Sequence, residues 1–231
     1  MSLINRLKPL VLGLMLSSAT IAAFSGCETL KLKSSKGNEE IDYANKKRIY
    51  ITAFGPFKDY QRNPTQDIAS YLSKKGYTTE TLDVDYHKAP ERLRQIIMYD
   101  KPDVIVSFGF SEKASNLALS ITAKNIMSSD FPDNSGRIHK DVKINDKLPD
   151  ILSIDEKQRR YFRKMARQAG INYYEQDDAD SFVCNSLSFA GISETKGNTK
   201  TSFYFFHVPA DIYSNKQQLR NLEKIIRMLE Y

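Results

Sequence analysis

Cysteine and histidine are scarce: the 231-residue chain holds two cysteines, Cys27 and Cys184, and three histidines. Two cysteines cannot build a disulfide scaffold, and the histidines and cysteines are not spaced as a multi-ligand zinc site. His87 sits before a helix start and His139 in a Lys/Arg-containing loop, neither with a ligand-spaced partner. Glycine and proline are ordinary, mean hydropathy is −0.48 and no period recurs, which argues against fibrous, repeat and polytopic membrane classes. No metal motif, phosphate loop or nucleotide fingerprint is present, and Gly109 alone near a strand end is too little for a dinucleotide site. The expectation is one domain's worth of core, with no metal and no cofactor.

What the chain does have begins with an address. Arg6 and Lys8 precede an uncharged, mostly apolar stretch from Leu10 to Phe24, which at about 15 residues is shorter than the ~20 that span a bilayer as a helix. It ends in Phe24-Ser25-Gly26-Cys27, which resembles the bacterial lipoprotein signal, cleaved before a cysteine that carries a lipid on its sulfur. Phe24 stands where leucine is usual; a short anchor helix with an incidental cysteine is the alternative. The expected organisation is therefore a signal peptide over residues 1–26, a Lys/Ser/Glu-rich tether over 27–45 and a folded domain over 46–231. Loss of Arg6 and Lys8 takes the net charge from +6 to +4. The mature protein is expected in the bacterial cell envelope, held to the membrane by lipidated Cys27, with no nucleic acid as partner. Glu28 follows the cysteine where inner-membrane retention signals carry aspartate, which favours the periplasmic face of an outer membrane where the cell has two.

From Lys46 the pattern is alternating. Arg48 to Ala53 reads as a strand ended by Gly55-Pro56, and Asn63-Pro64 as a helix cap ahead of Ile68, Tyr71 and Leu72. Thr78 to Val84 alternates as a strand, and Pro90 to Tyr99 carries Leu93, Ile96 and Ile97 on one helical face. Val104 to Phe108 is an apolar run suited to a central parallel strand. Leu117 to Ile126 reads as one further strand, and residues 129–149 as a long excursion. Glu156 to Gln168 is a basic helix with a solvated face; Ile171 to Tyr174 is a strand, Val183 to Ile192 a helix, Ser202 to Val208 a strand, and an amphipathic helix closes the chain. This order predicts an α/β fold, a three-layer α/β/α sandwich on a mixed, mostly parallel sheet, with ligands beyond the carboxyl ends of its strands.

With Cys27 lipidated, Cys184 is the only thiol of the mature chain. It stands at a predicted helix start, where the helix dipole favours the thiolate, and His207 lies at a strand end before Pro209. Such a pair suits attack on a carbonyl by sulfur and protonation of the leaving amine by imidazolium. Among Phe182, Val183 and Leu187, a lone cysteine such as Cys184 is more often a small buried hydrophobe than a nucleophile, and spacing alone does not settle between the readings.

Several segments in order resemble pyroglutamyl peptidase I (pyrrolidone-carboxylate peptidase), a family of cysteine peptidases. They are Thr52-Ala53-Phe54-Gly55-Pro56-Phe57 with Asn63-Pro64-Thr65, Lys88-Ala89-Pro90-Glu91, Lys101-Pro102-Asp103-Val104, Phe131-Pro132-Asp133-Asn134-Ser135-Gly136, Ser181-Phe182-Val183-Cys184-Asn185 and Phe206-His207-Val208-Pro209. The resemblance implies Cys184 as nucleophile and His207 as general acid and base. It also implies that Phe54 and Phe57 sandwich a flat pyrrolidone ring, with Phe110, Phe182 and Val183 completing the substrate-binding set. For the two phenylalanines, ordinary core packing is the alternative. An ungapped alignment puts Ser120 where the family has its catalytic glutamate, Asp130 where it has an arginine near the oxyanion, and Phe110 where a glutamine contacts the lactam. Glu112 and Lys113 stand in its G-G-R element. A carboxylate at Asp130 would oppose oxyanion charge, and Asp177, Asp178 and Asp180 would raise the thiol pKa if they face it. The implied function is a peptidase or amidase acting on an N-terminal pyroglutamyl or similar cyclic amide, with altered or weak activity. The alternative is a catalytically impaired envelope lipoprotein using the same pocket to bind a ligand. Expected partners are a peptide or small amide and the membrane; a homo-oligomer stays open.

Overall fold

A computed structural model describes residues 46–177, 180–197 and 200–231. The predicted signal peptide, Cys27, the tether up to residue 45, and Asp178 lie outside the described residues. In chain order the elements are β1 (Ile49–Phe54), α1 (Pro64–Ser73), β2 (Thr78–Leu82), α2 (Lys88–Gln95), β3 (Val104–Phe110), β4 (Ala118–Ser120), β5 (Thr122–Lys124), β6 (Ile151–Ser153), α3 (Glu156–Gln168), β7 (Tyr174–Gln176), α4 (Val183–Thr195), β8 (Ser202–Val208) and α5 (Lys216–Glu230).

Strands β1, β2, β3 and β8 are parallel, and β4 with β7 continues the sheet antiparallel to β8, in the order β2-β1-β3-β8-β4-β7. The sheet is thus mixed and mostly parallel, with helices packed against it. Strands covered on both faces need apolar residues at every position, and β8 supplies them as Phe203-Tyr204-Phe205-Phe206. Alternation along the strand sends Tyr204 and Phe206 towards Phe162 of α3, at ring-centroid separations of 5.4 and 5.6 Å. It sends Phe203 and Phe205 the other way, towards α4. There Gly191 lies so close that a Cβ would come within 2.5 Å of the Phe203 ring.

Two expected strands differ from those observed. The run from Leu117 to Ile126 breaks at Ile121, whose N–H donates to the Gln176 carbonyl at 2.9 Å while its carbonyl accepts from Ile154 at 3.1 Å. The chain passes from the main sheet at β4 to a separate two-stranded sheet of β5 and β6. The strand expected at Ile171 begins at Tyr174 instead, because the Ile171 N–H closes the end of α3 on the Ala166 carbonyl at 2.9 Å, after Gly170 at φ +60. The helix expected from Pro90 to Tyr99 starts earlier, at Lys88, and ends in a π-helical turn over Ile96–Asp100.

The early start has a cause in Asp85. Its carboxylate, fully buried, accepts from the backbone N–H groups of His87 and Lys88 at 2.8 and 2.9 Å, from the Ser135 hydroxyl and from Arg137 at 3.1 Å. Asp133 beside it accepts from Tyr86, Ser135 and Arg137 N–H groups. Together they pin the 129–149 excursion to the start of α2. His139 follows, its ring 4.7 Å from Tyr86 and 5.6 Å from His87, so two histidines without sequence partners become neighbours.

Burial alone would raise the Asp85 pKa, but the bonds from Ser135, Lys88 and His87 and the charge of Arg137 outweigh it and hold the carboxyl well below the usual range. A depressed folded-state pKa contributes stability above the unfolded value, about 3.9 for aspartate, and that contribution is lost as pH falls towards the folded value. Asp85→Asn is expected to cost about 2–3 kcal/mol at neutral pH. Denaturant titrations of the two proteins should converge as pH falls below about 4; a gap independent of pH would contradict the assignment.

Candidate active site

The parallel strands end on one side of the sheet, and the cavity opens there. Phe54 closes β1, Phe110 closes β3 and His207 stands one residue before the end of β8. The first turn of α4 comes down between them with Phe182 as its cap and Val183 and Cys184 as its first residues. These residues line a cavity of about 450 Å³ together with Phe57, Tyr60 and Phe131, a volume suited to a small ligand. All the side chains expected from the resemblance to bind substrate (Phe54, Phe57, Phe110, Phe182 and Val183) lie on its wall, as do Cys184 and His207.

Gly109 sets the place of the thiol. A Cβ there would lie 2.8 Å from Cys184 Sγ and 2.6 Å from the Phe205 ring, so the sulfur rests on bare backbone. Gly109 pairs in register with His207 of β8, and neighbouring strands are about 4.8 Å apart. The sulfur, carried by α4 onto Gly109, and the imidazole, carried by β8, therefore lie over neighbouring strands of the sheet. His207 itself is buried, its ring 5.1 Å from that of Phe205.

The electrostatics run against the expectation of an easily ionised thiol. Burial pushes the Cys184 thiol up to about 12, the Asp180 carboxylate adds to the rise, and the residue's own backbone N–H works the other way. Desolvation by the surrounding apolar walls wins over the helix N-terminus. Asp180 is drawn in by a left-handed backbone, φ +61, and its carboxylate lies 3.6 Å from Lys113. The N–H of Val183, at the start of α4, has no hydrogen-bond partner among the described residues, and Phe182 provides no side-chain cap. That N–H is available to an oxyanion.

The walls are a chain of rings. Phe57 lies 5.5 Å from Tyr60 and 6.1 Å from Phe182, Tyr60 meets Phe110 edge-on at 5.6 Å, and Phe131 meets Phe182 at 4.7 Å. Tyr60 donates its hydroxyl to Glu112 at the rim. Lys58, at φ +50, holds its ammonium 3.1 Å over the Phe131 ring. Tyr60, Lys58 and the role of Phe131 were not foreseen. Phe131 stood in a quoted motif, whereas Tyr60 and Lys58 lie between two motifs and carry no signal of their own.

Of the two substituted positions, Asp130 lines the cavity, and its side chain, 95% exposed, pairs with Lys140, which lowers its pKa first through that hydrogen bond. Ser120 is buried on β4 opposite Phe205, two residues from the register position of His207, and its hydroxyl makes no hydrogen bond among the described residues. Asn185, which follows the thiol, is a clamp: its amide donates to the carbonyls of Lys124 and Ile126 and accepts from the Lys124 N–H, all at 2.8 Å. Asn134 similarly donates to the Pro56 carbonyl and to Asp83, both at 2.9 Å, which fixes the Phe57 loop.

The comparisons with known proteins agree with this construction. The chain is 28% identical to the pyrrolidone-carboxylate peptidase of Thermococcus litoralis over 169 residues, 71% of this chain and 76% of that protein. It is 25% identical to the pyrrolidone-carboxylate peptidase of Bacillus subtilis over 193 residues, 80% and 89% of the two chains. Among solved structures, pyroglutamyl peptidase I of Bacillus amyloliquefaciens superposes with a TM-score of 0.67 at 20% identity, over 80% of this chain and 95% of its own. The pyrrolidone carboxyl peptidase of Thermococcus litoralis gives 0.66 at 24%, over 79% and 92%. A sequence model of pyroglutamyl peptidase matches residues 47–223, and the chain belongs to the pyroglutamyl peptidase family of cysteine peptidases.

Proposed function

We propose that the protein is an envelope-anchored cysteine peptidase that removes an N-terminal pyroglutamyl or similar cyclic residue through Cys184 and His207, with slow turnover. The observation that carries this reading is the seating of the Cys184 sulfur on Gly109, in register with His207, at the floor of a ring-lined cavity. A flat neutral ring fits between aromatic side chains, and Phe110 makes the end of that slot apolar. Sulfur attacks the amide carbonyl as its proton passes to His207, and the oxyanion forms near the Val183 N–H. His207 then gives the proton to the leaving amine, which leaves a thioester. Water adds to the thioester with its proton taken by His207, and the proton returns to sulfur as the acid departs.

Slow turnover follows from two observations. The thiol is held protonated by burial and by Asp180, so little thiolate is present before substrate enters. Ser120 brings no charge to support the imidazolium. The same pair of observations favours a second reading, in which the cavity binds a cyclic amide without cleaving it. The address is part of the proposal as well: Cys27 carries the lipid and holds the domain at the envelope.

Three outcomes test these points. On a pyroglutamyl reporter, Cys184→Ala and His207→Ala should each lower kcat by about 1000-fold or more. Gly109→Ala should lower it too, because its methyl would displace the sulfur. If the parent protein cleaves neither this reporter nor a panel of small cyclic amides, yet a pyroglutamyl compound protects Cys184 from alkylation, the binding reading replaces the peptidase. The rate of Cys184 alkylation should climb about tenfold per pH unit from neutrality past pH 9 without a plateau. Asp180→Asn should raise that rate at fixed pH, and a plateau near pH 7 would contradict the raised pKa. Mass analysis of the mature N-terminus should find a lipid on Cys27, and Cys27→Ala should release the protein from membranes; an unmodified Cys27 would remove the anchor.

A further inference from the structure

The end of the sheet opposite the cavity has a chemistry that amide hydrolysis does not use. Strands β1, β3 and β8 begin there, at Ile49, Val104 and Ser202. Lys74, Lys101, Lys196, Lys200 and Arg227 surround these starts, all exposed and without an ion pair among the described residues. The carboxylates of the same end are mostly engaged: Glu230 by Lys46 at 2.8 Å, Glu223 by Lys75 at 3.1 Å, Glu194 by Arg94 at 3.1 Å and Asp103 by Arg48 at 3.7 Å. Asp100 is exposed there beside the Arg48 guanidinium, which donates to its carbonyl oxygen at 3.3 Å.

These residues share one surface. Arg48 reaches the carbonyls of Asp100 and Lys101, Thr201 donates to the Pro102 carbonyl at 2.6 Å, and Lys47 donates to the Glu230 carbonyl at 2.7 Å. The π-helical turn at this end presents Met98 and Tyr99, 60% and 74% exposed, and Tyr231 is 51% exposed at the end of α5. Large apolar side chains ringed by lysine suit a lipid headgroup interface, where the rings enter the boundary layer and the ammonium groups meet phosphate. The cavity rim is different, with Glu112, Asp130 and Asp180 against Lys58 and Lys113.

We propose that this end docks on a bilayer bearing anionic headgroups and that the cavity consequently opens away from the membrane. The proposal rests on the reading that the protein is lipid-anchored at Cys27. The described chain begins at residue 46, within this same surface, so an anchor upstream of it would deliver this end of the domain to the membrane at high local concentration, and weak contacts then suffice for docking. The seven-residue strands β3 and β8 then hold the cavity about 20 Å above the docked surface, clear of the headgroups.

The test uses the chain without residues 1–45. The family fold needs nothing from that segment, since the Bacillus amyloliquefaciens structure is matched over 95% of its length by 80% of this chain. The probes are sedimented vesicles of phosphatidylcholine alone and of phosphatidylcholine with a quarter phosphatidylglycerol. Binding is expected to the anionic vesicles and to disappear at high salt. Lys101→Glu with Lys200→Glu should weaken it by about tenfold or more, and Tyr99→Ser should weaken it further. Lys147→Glu with Lys216→Glu, an equal change of charge elsewhere on the surface, should leave it nearly unchanged. Equal loss in both double variants would reduce the effect to net charge and overturn the docking surface, as would equal sedimentation with neutral vesicles or none with either. Preference for soluble dextran sulfate over the vesicles would mark a polyanion site and also overturn it. The anchor is read separately: vesicle binding by the domain with an unacylated Cys27 in cells would leave the surface standing and remove the anchor.

Discussion

The site depends on how closely α4 lies against the sheet. Two glycines permit that approach from opposite partners. Gly191, on the helix, removes the Cβ that would meet the Phe203 ring at 2.5 Å, and Gly109, on β3, removes the Cβ that would meet the Cys184 sulfur at 2.8 Å. A helix seated this low brings its first turn level with the carboxyl ends of β3 and β8, so sulfur, imidazole and an available N–H converge. The same low seat sets the sulfur against apolar walls, and that desolvation raises the thiol pKa. Placement and activation of the nucleophile therefore oppose each other, and the family chemistry must proceed through a proton transfer made when substrate is bound.

Helix seating would be worth little without loops that hold still. Three short polar side chains supply this. Asp85 gathers the start of α2 and the 129–149 excursion, Asn134 ties that excursion to the Phe57 loop, and Asn185 ties α4 to β5. Asp85 and Asn185 are buried, so their desolvation cost is offset by several hydrogen bonds each, whereas Asn134 holds its two partners from an exposed position. The ring walls then pack on a frame fixed by backbone contacts. This is why residues from six separate segments can line one cavity.

Much of this was legible in the sequence, for reasons that differ by element. The run Ser202–Val208 read as a strand and Glu156–Gln168 as a basic helix with a solvated face, and both stand at those bounds. The break at Ile121 was not legible, because alternation continues through it and only the partners of one residue's N–H and carbonyl divide the run between two sheets. The side chains of the cavity followed from motifs, but their electrostatics did not. A helix N-terminus can be read from sequence, whereas the desolvation that overrides it depends on which rings close around the sulfur. Asp130 shows the same limit: alignment located it beside the cavity and could not say that its exposed carboxylate is paired with Lys140.

The raised thiol pKa also connects the two cysteines with which the sequence began. In an oxidising compartment a lone thiol is exposed to disulfide exchange and to oxidation, and both proceed through the thiolate. A catalytic cysteine poised near neutral pH would be vulnerable there. A Cys184 thiol whose pKa is raised by burial and by Asp180 reacts more slowly by both routes at rest. The cost is a slower nucleophile, since the proton must be moved at each turnover.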